Sequence, residues 1–182
     1  VRRHRWTAAA VGCALVLAGC GGAERRGFDD DDVMFLQMMV VHHGQGVRIA
    51  RLAEERAVRD GVRTLAGAIE ATQVSEISTM AGRLRGWRRP PTAPPGGHAA
   101  HGGMPATGEK EIRALEKARG EVFERRFLNV LIAHQDDAIQ LARAEAAAGT
   151  DPATRELAGR IDRSRTAQIQ QMRTLLAHPR TG

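Results

Sequence analysis

The chain has 182 residues, 42% of them apolar and 26% charged, with 3% aromatics, two cysteines and a net charge of +6. Three of the arginines fall within the first five positions, and without them 24 basic residues face 21 acidic ones, a charge of only +3. Charges interspersed along the chain and few aromatics for base stacking speak against a nucleic-acid partner, and the absence of tyrosine and of sustained apolar–polar alternation speaks against a sheet.

The N-terminal segment is a targeting signal by its layout. Arg2, Arg3 and Arg5 precede an apolar run from Ala8 to Ala18, and Leu17-Ala18-Gly19-Cys20 follows as a lipoprotein cleavage box. The run falls short of the about 20 apolar residues that span a bilayer. Residues 1–19 are therefore expected to be a lipoprotein signal peptide, and residues 20–28 the lipidated Cys20 and a flexible tether. Cys13 lies within the signal, so no free thiol remains for catalysis, thiolate metal sites or disulfides. The expected location is extracytoplasmic, on the bacterial cell membrane through Cys20.

The remaining residues suffice for one domain with one core. Apolar residues at three- and four-residue spacing, among Ala, Leu, Arg, Glu and Gln, predict helices throughout. Helix one starts at Asp29–Asp32, whose carboxylates suit a helix N-terminus, and runs to Arg59, where Asp60-Gly61 breaks it. Helix two covers Val62 to Trp87. Residues 88–108, rich in proline and glycine, form a crossover. Helix three covers Glu109 to Ala148 with an interruption near Gly120. After Gly149, Pro152 opens helix four, which ends near His178.

The two halves are copies of each other. Residues 35–80 match residues 127–172 without a gap, at an offset of 92, with 12 identities in 46 positions. Phe35, Leu36 and His42 answer to Phe127, Leu128 and His134; Arg63, Leu65, Ala66, Gly67 and Ile69 answer to Arg155, Leu157, Ala158, Gly159 and Ile161. The expected fold is all-α: a four-helix bundle over residues 29–178, made of two duplicated helical hairpins (29–87 and 109–178) joined by the crossover.

The helical stripe of Phe35, Met39, His42, Gly46 and Ala53 puts His42 on a core row, and the duplication puts His134 in the equivalent place. On helix two the stripe runs through Ile69, Gln73, Glu76 and Met80, answered on helix four by Ile161, Arg165, Gln168 and Met172. A carboxylate on such a row is costly unless it is paired or metal-bound. Thioethers with imidazoles suit Cu(I), and imidazoles with a carboxylate suit Cu(II) or Zn(II). The candidate metal-binding cluster is therefore His42 and His43, with Met38 and Met39 one turn back on the same side and Glu76 on the partner helix. His98, His101 and Met104 in the crossover form a second, capture-type set. These donors leave Cu(I), Cu(II) and Zn(II) open. No Glu-x-x-His di-iron pattern, triad or phosphate loop is present, so no enzyme activity is expected.

Asp32-x-x-Phe35-Leu36-x-x-Met39-x-x-His42-His43, Gln73-x-x-Glu76-Ile77-x-x-Met80 and Phe123-Glu124-x-x-Phe127-Leu128 resemble the family known as domain of unknown function 305, over about residues 28–176. The resemblance implies a ferritin-like four-helix bundle, secreted or lipid-anchored, with a copper-associated role; its motif falls on Met39, His42, His43, Glu76 and Met80, which with His134 are the expected ligands, copper being the expected ion and zinc the alternative. The second half departs from it: Leu131, Gln135, Arg165 and Gln168 stand where Met39, His43, Gln73 and Glu76 stand in the first. Half of a symmetric site is weakened, and one site built mainly from the first half is expected. Two competing readings are a structural or protein-interaction bundle, with His42 and His134 hydrogen-bonded to Glu76 and Gln168, and a ferritin-like oxidoreductase. No particular protein partner is indicated.

Overall fold

The computed structural model describes residues 27–94 and 106–178. The signal segment, Cys20 and the crossover set His98, His101 and Met104 lie outside the described residues. Five helices follow in order: α1 Asp30–Arg56, α2 Asp60–Gly86, α3 Glu109–Lys117, α4 Gly120–Ala148 and α5 Pro152–Ala177. Among the described residues there is no strand.

Local chemistry sets the helix ends. The Asp29 carboxylate accepts from the backbone N–H groups of Asp31 and Asp32, both at 3.0 Å, while Asp32 accepts from the Asp29 N–H at 2.8 Å. This reciprocal cap satisfies donors that a helix start leaves free. Asp151 caps α5 by accepting from the Thr154 N–H at 2.8 Å, with Pro152 in the first turn. The break after α1 falls earlier than the sequence suggests. α1 stops at Arg56, and Asp60 opens α2 instead of ending α1, because its carboxylate is favourable at the positive end of a helix. The interruption expected near Gly120 separates α3 from α4, and Gly120 has φ +57°, a left-handed conformation that suits glycine.

α1 packs on α2 and α4 on α5, and the two hairpins meet chiefly along α1 and α4. The offset of 92 is visible in three dimensions. One apolar cluster holds Ala50, Leu65, Ala66, Ile69, Phe127, Leu128, Leu131 and Met172; the other holds their counterparts Ala142, Leu157, Ala158, Ile161, Phe35, Leu36, Met39 and Met80. Each cluster thus joins the N-terminal part of one long helix to the loop end of the opposite hairpin. The same exchange operates at the ends: Asp32 accepts from the Asp151 N–H at 3.0 Å, and its counterpart Glu124 accepts from the Arg59 N–H at 2.6 Å. Between the two clusters, at the midpoints of all four long helices, lies a layer of polar side chains: His42, His43, Gln73, Glu76, His134, Gln135, Arg165 and Gln168.

Candidate metal centre

The polar layer divides into a pair on the pseudo-twofold axis and two networks beside it. His42 and His134, counterparts in the repeat, stack with ring centroids 3.9 Å apart and planes 18° apart. Each is only 1% exposed. Both ring nitrogens of His42, and Nε2 of His134, are buried without a hydrogen-bond partner among the described residues. Nδ1 of His134 lies 3.1 Å from the Thr107 hydroxyl. Burial holds His42 down at about 2, helped by His134, His43 and Arg165. Burial likewise holds His134 at about 3, helped by His43 and Arg165, with only the nearby His42 backbone acting the other way. Both imidazoles are neutral at physiological pH.

Gly46 makes this pairing possible. A Cβ there would stand 2.8 Å from His134 Nε2 and 2.3 Å from Gln73 Oε1. Gln73 Oε1 is itself buried without a partner among the described residues.

His43 takes a different direction, because successive helix positions differ by about 100°. Its Nε2 donates to Glu76 Oε2 at 2.7 Å. Arg165 NH2 donates to the same oxygen and lies 3.0 Å from His43 Nε2. Burial raises the Glu76 carboxyl, but His43 and Arg165 outweigh it and leave Glu76 below the usual carboxylate range. Burial lowers His43 against the pull of Glu76. The counterpart network is neutral: Gln135 Nε2 donates to Gln168 Oε1 at 2.5 Å, and Gln73 Nε2 to Gln135 Oε1 at 3.3 Å. The two networks are the same arrangement in different residues.

The structure therefore sorts the sequence candidates. His42 and His134 come together. His43 and Glu76 also come together, but around the Arg165 guanidinium, which supplies the positive charge that the carboxylate requires. Glu76 and Gln168 do not bond His42 or His134; they bond His43 and Gln135, which corrects the pairing expected for a purely structural bundle. Met39 and Met80 are fully buried in one apolar cluster. Among the described residues, no three His, Cys, Asp or Glu side chains form a metal cage.

Two positions beside His134, Gln45 and Thr107, were not singled out from the sequence. Gln45 clamps Thr107 through both its amide atoms, donating to the carbonyl at 2.9 Å and accepting from the N–H at 2.8 Å. Thr107 in turn reaches His134. A cleft of about 230 Å³, flanked by Glu111, Asn129 and Asp137, leads from the surface to Thr107 and His134. No sequence signal ties Thr107 to a histidine 27 positions away.

The sequence profile described as Domain of unknown function (DUF305) matches residues 32–176. The chain belongs to the DUF305 family. Solved DUF305 structures similar to it include one from Streptomyces coelicolor, described as a candidate secreted protein, at 27% identity with TM-score 0.76, covering 81% of this chain and 93% of that one. A fragment from Deinococcus radiodurans is 29% identical with TM-score 0.73, covering 84% of this chain and 99% of that one. CopM in its Cu(I)-bound form is 27% identical with TM-score 0.66, covering 81% of this chain and 96% of that one; Cu(II)- and Ag-bound forms of CopM are similar too. No curated protein matches the chain. Like these DUF305 structures, the chain is an all-α bundle, and no helix among its described residues is long and apolar enough to cross a membrane.

Proposed function

We propose that the chain is an extracytoplasmic copper-binding protein, held at the membrane by a lipid on Cys20, that buffers or passes on copper through the stacked pair His42 and His134. The observation that carries this reading is the set of three buried ring nitrogens without partners on two neutral imidazoles. Leaving a buried polar group unsatisfied costs about 1–3 kcal/mol, and such groups in a native core call for an explanation such as an ion. Imidazole nitrogens are donors that copper takes, and the two stacked rings must turn to aim their in-plane lone pairs at one ion. With Nδ1–H of His134 donating to Thr107, Nε2 keeps its lone pair free, the second contact that orients most metal-binding histidines.

Two imidazoles without a carboxylate suit Cu(I) better than Zn(II), which takes four ligands in structural sites. Glu76, the carboxylate that would favour zinc or Cu(II), is already committed to Arg165. CopM, a solved structure 27% identical to this chain, has Cu(I)- and Ag-bound forms, which supports the same ion class here. The cleft beside Asp137 and Glu111 offers a cation a negatively charged approach to His134.

The test is copper loading of the tag-free chain under reducing conditions. Cu(I) raises the melting temperature of the native chain by mass action, and elemental analysis finds copper retained. His42→Leu with His134→Leu removes that shift. An unchanged shift in the double variant overturns the assignment.

A further inference from the structure

A second cavity lies away from the polar layer, between the first turns of α1 and the last turns of α4. It measures about 240 Å³, is half open to solvent, and is lined by Met34, Phe35 and Met38 from α1 and Leu141, Glu145 and Gly149 from α4. Met34 and Met38, one helical turn apart, project from the same side of α1. Met38 is 4% exposed and Glu145 only 6%.

Glu145 is out of place in an ordinary core. Its Oε1 is buried without a hydrogen-bond partner among the described residues. That oxygen rests against Gly149, where a Cβ would stand 2.1 Å away, so the glycine makes room for it. The surrounding charges are mostly negative: Asp29, Asp31 and Asp32 at the start of α1, and Asp151 at the start of α5. Arg83 of α2 pairs with Asp151 at 2.6 Å. Asp29, Asp32 and Asp151 accept from backbone N–H groups at helix starts, whereas Glu145 has no such donor. Burial above all, then Asp32, Asp29 and Asp151, push its carboxyl up to about 8.

The duplication serves as an internal control. The counterparts of Met34, Met38 and Glu145 are Arg126, Val130 and Ala53, and Ala53 packs in the apolar core. The fold at this position therefore needs neither a thioether nor a carboxyl. We infer that Met34, Met38 and Glu145 form a second metal site, for a soft monovalent cation of the Cu(I) or Ag(I) type. Two thioethers select a soft ion over the harder divalent cations, and Glu145, protonated without an ion, supplies the compensating negative charge by giving up its proton as the ion binds. The half-open cavity leaves the ion exposed to exchange. The choice of ion follows from the thioethers and does not depend on the histidine pair.

Silver(I), which needs no reductant, is the probe, read through the methionine methyl resonances of the ¹³C-methyl-labelled chain. In both the native chain and the His42→Leu/His134→Leu variant, the Met34 and Met38 methyls shift together on silver addition. Glu145→Gln weakens that response by about tenfold or more, the scale even of outer-shell partners. Met34→Leu with Met38→Leu, a volume-conserving pair of changes, lowers the bound silver by one equivalent. The inference is overturned if the Met34 and Met38 methyls stay still while other methionines respond, or if Glu145→Gln leaves their response unchanged. A response in the native chain that vanishes with the two histidines also overturns it. Loss of copper in the histidine variant with the Met34 and Met38 response intact supports both sites separately.

Discussion

Arg165 decides what the off-axis half of the polar layer can bind. In the first repeat the same position is Gln73, a neutral amide that bonds its neighbour. In the second it is a fully buried cation set against Glu76. A metal seeking His43 and Glu76 would have to displace a guanidinium already paired in the core. Arg165→Gln, which copies the first-half residue, is expected to expose an imidazole–carboxylate pair suited to Zn(II) or Cu(II). Calorimetry should find zinc binding above that of the native chain, and no gain means that the arginine is not what excludes the ion. Without metal the same change destabilises by about 3 kcal/mol, because removing one partner leaves a largely buried charge uncompensated. The histidine pair makes a pH prediction with a definite sign. Both folded-state values, about 2 for His42 and about 3 for His134, lie below the ordinary 6.5. The unfolded chain therefore takes up protons first as pH falls. The metal-free protein keeps this share of its stability above pH 6.5 and loses it on acidification, by about 1.4 kcal/mol per pH unit for each histidine. Urea midpoints between pH 7 and 5 should fall more steeply for the native chain than for the double leucine variant, and equal slopes would contradict the assignment.

At the scale of elements, the ties between hairpins are carboxylates reaching the backbone of a helix start. Glu124 accepts from both the N–H and Nε of Arg59, each at 2.6 Å, while Arg59 also donates to the carbonyls of Leu175 and His178. Glu124→Ala removes the acceptor from a cation only 17% exposed and is expected to cost about 3 kcal/mol, read as a lower midpoint in urea. Glu54→Ala, at a position without such a tie, provides the comparison, and equal losses would show that the tie is incidental. The helices, their pairing and the place of His42 opposite His134 were legible in the sequence, because apolar spacing and a gapless repeat report directly on helical faces. The partners of the polar layer were not. Periodicity assigns a side chain to a face but does not choose between neighbours on adjacent helices, so Glu76 fell to His42 when His43 holds it. Arg165 was legible as a departure from Gln73, but not as the partner of Glu76 on the other hairpin. Gln45 and Thr107 were silent because their contact joins α1 to the crossover, and Gly46 was placed on the core row without the room it leaves for His134 being legible.

For the whole molecule, the polar layer interrupts what would otherwise be one apolar core. Buried polar groups are often replaceable by hydrophobic ones of similar volume at no cost, or with a gain of about 1–4 kcal/mol. The metal-free His42→Leu/His134→Leu protein is thus expected to melt above the native chain while losing copper. A lower melting temperature would mean that the stacked imidazoles hold the bundle together in their own right. The pseudo-twofold axis also bears on how such a chain can vary. Each off-axis position of the polar layer exists twice, so one copy is free to become the charged triad of His43, Glu76 and Arg165 while the other stays an amide relay of Gln135, Gln168 and Gln73. The residues on the axis have no spare. His42 meets its own image, so a change on either side alters the same contact and the pair has to vary together. Duplication gave this protein latitude everywhere except at the place where its two halves touch through their histidines.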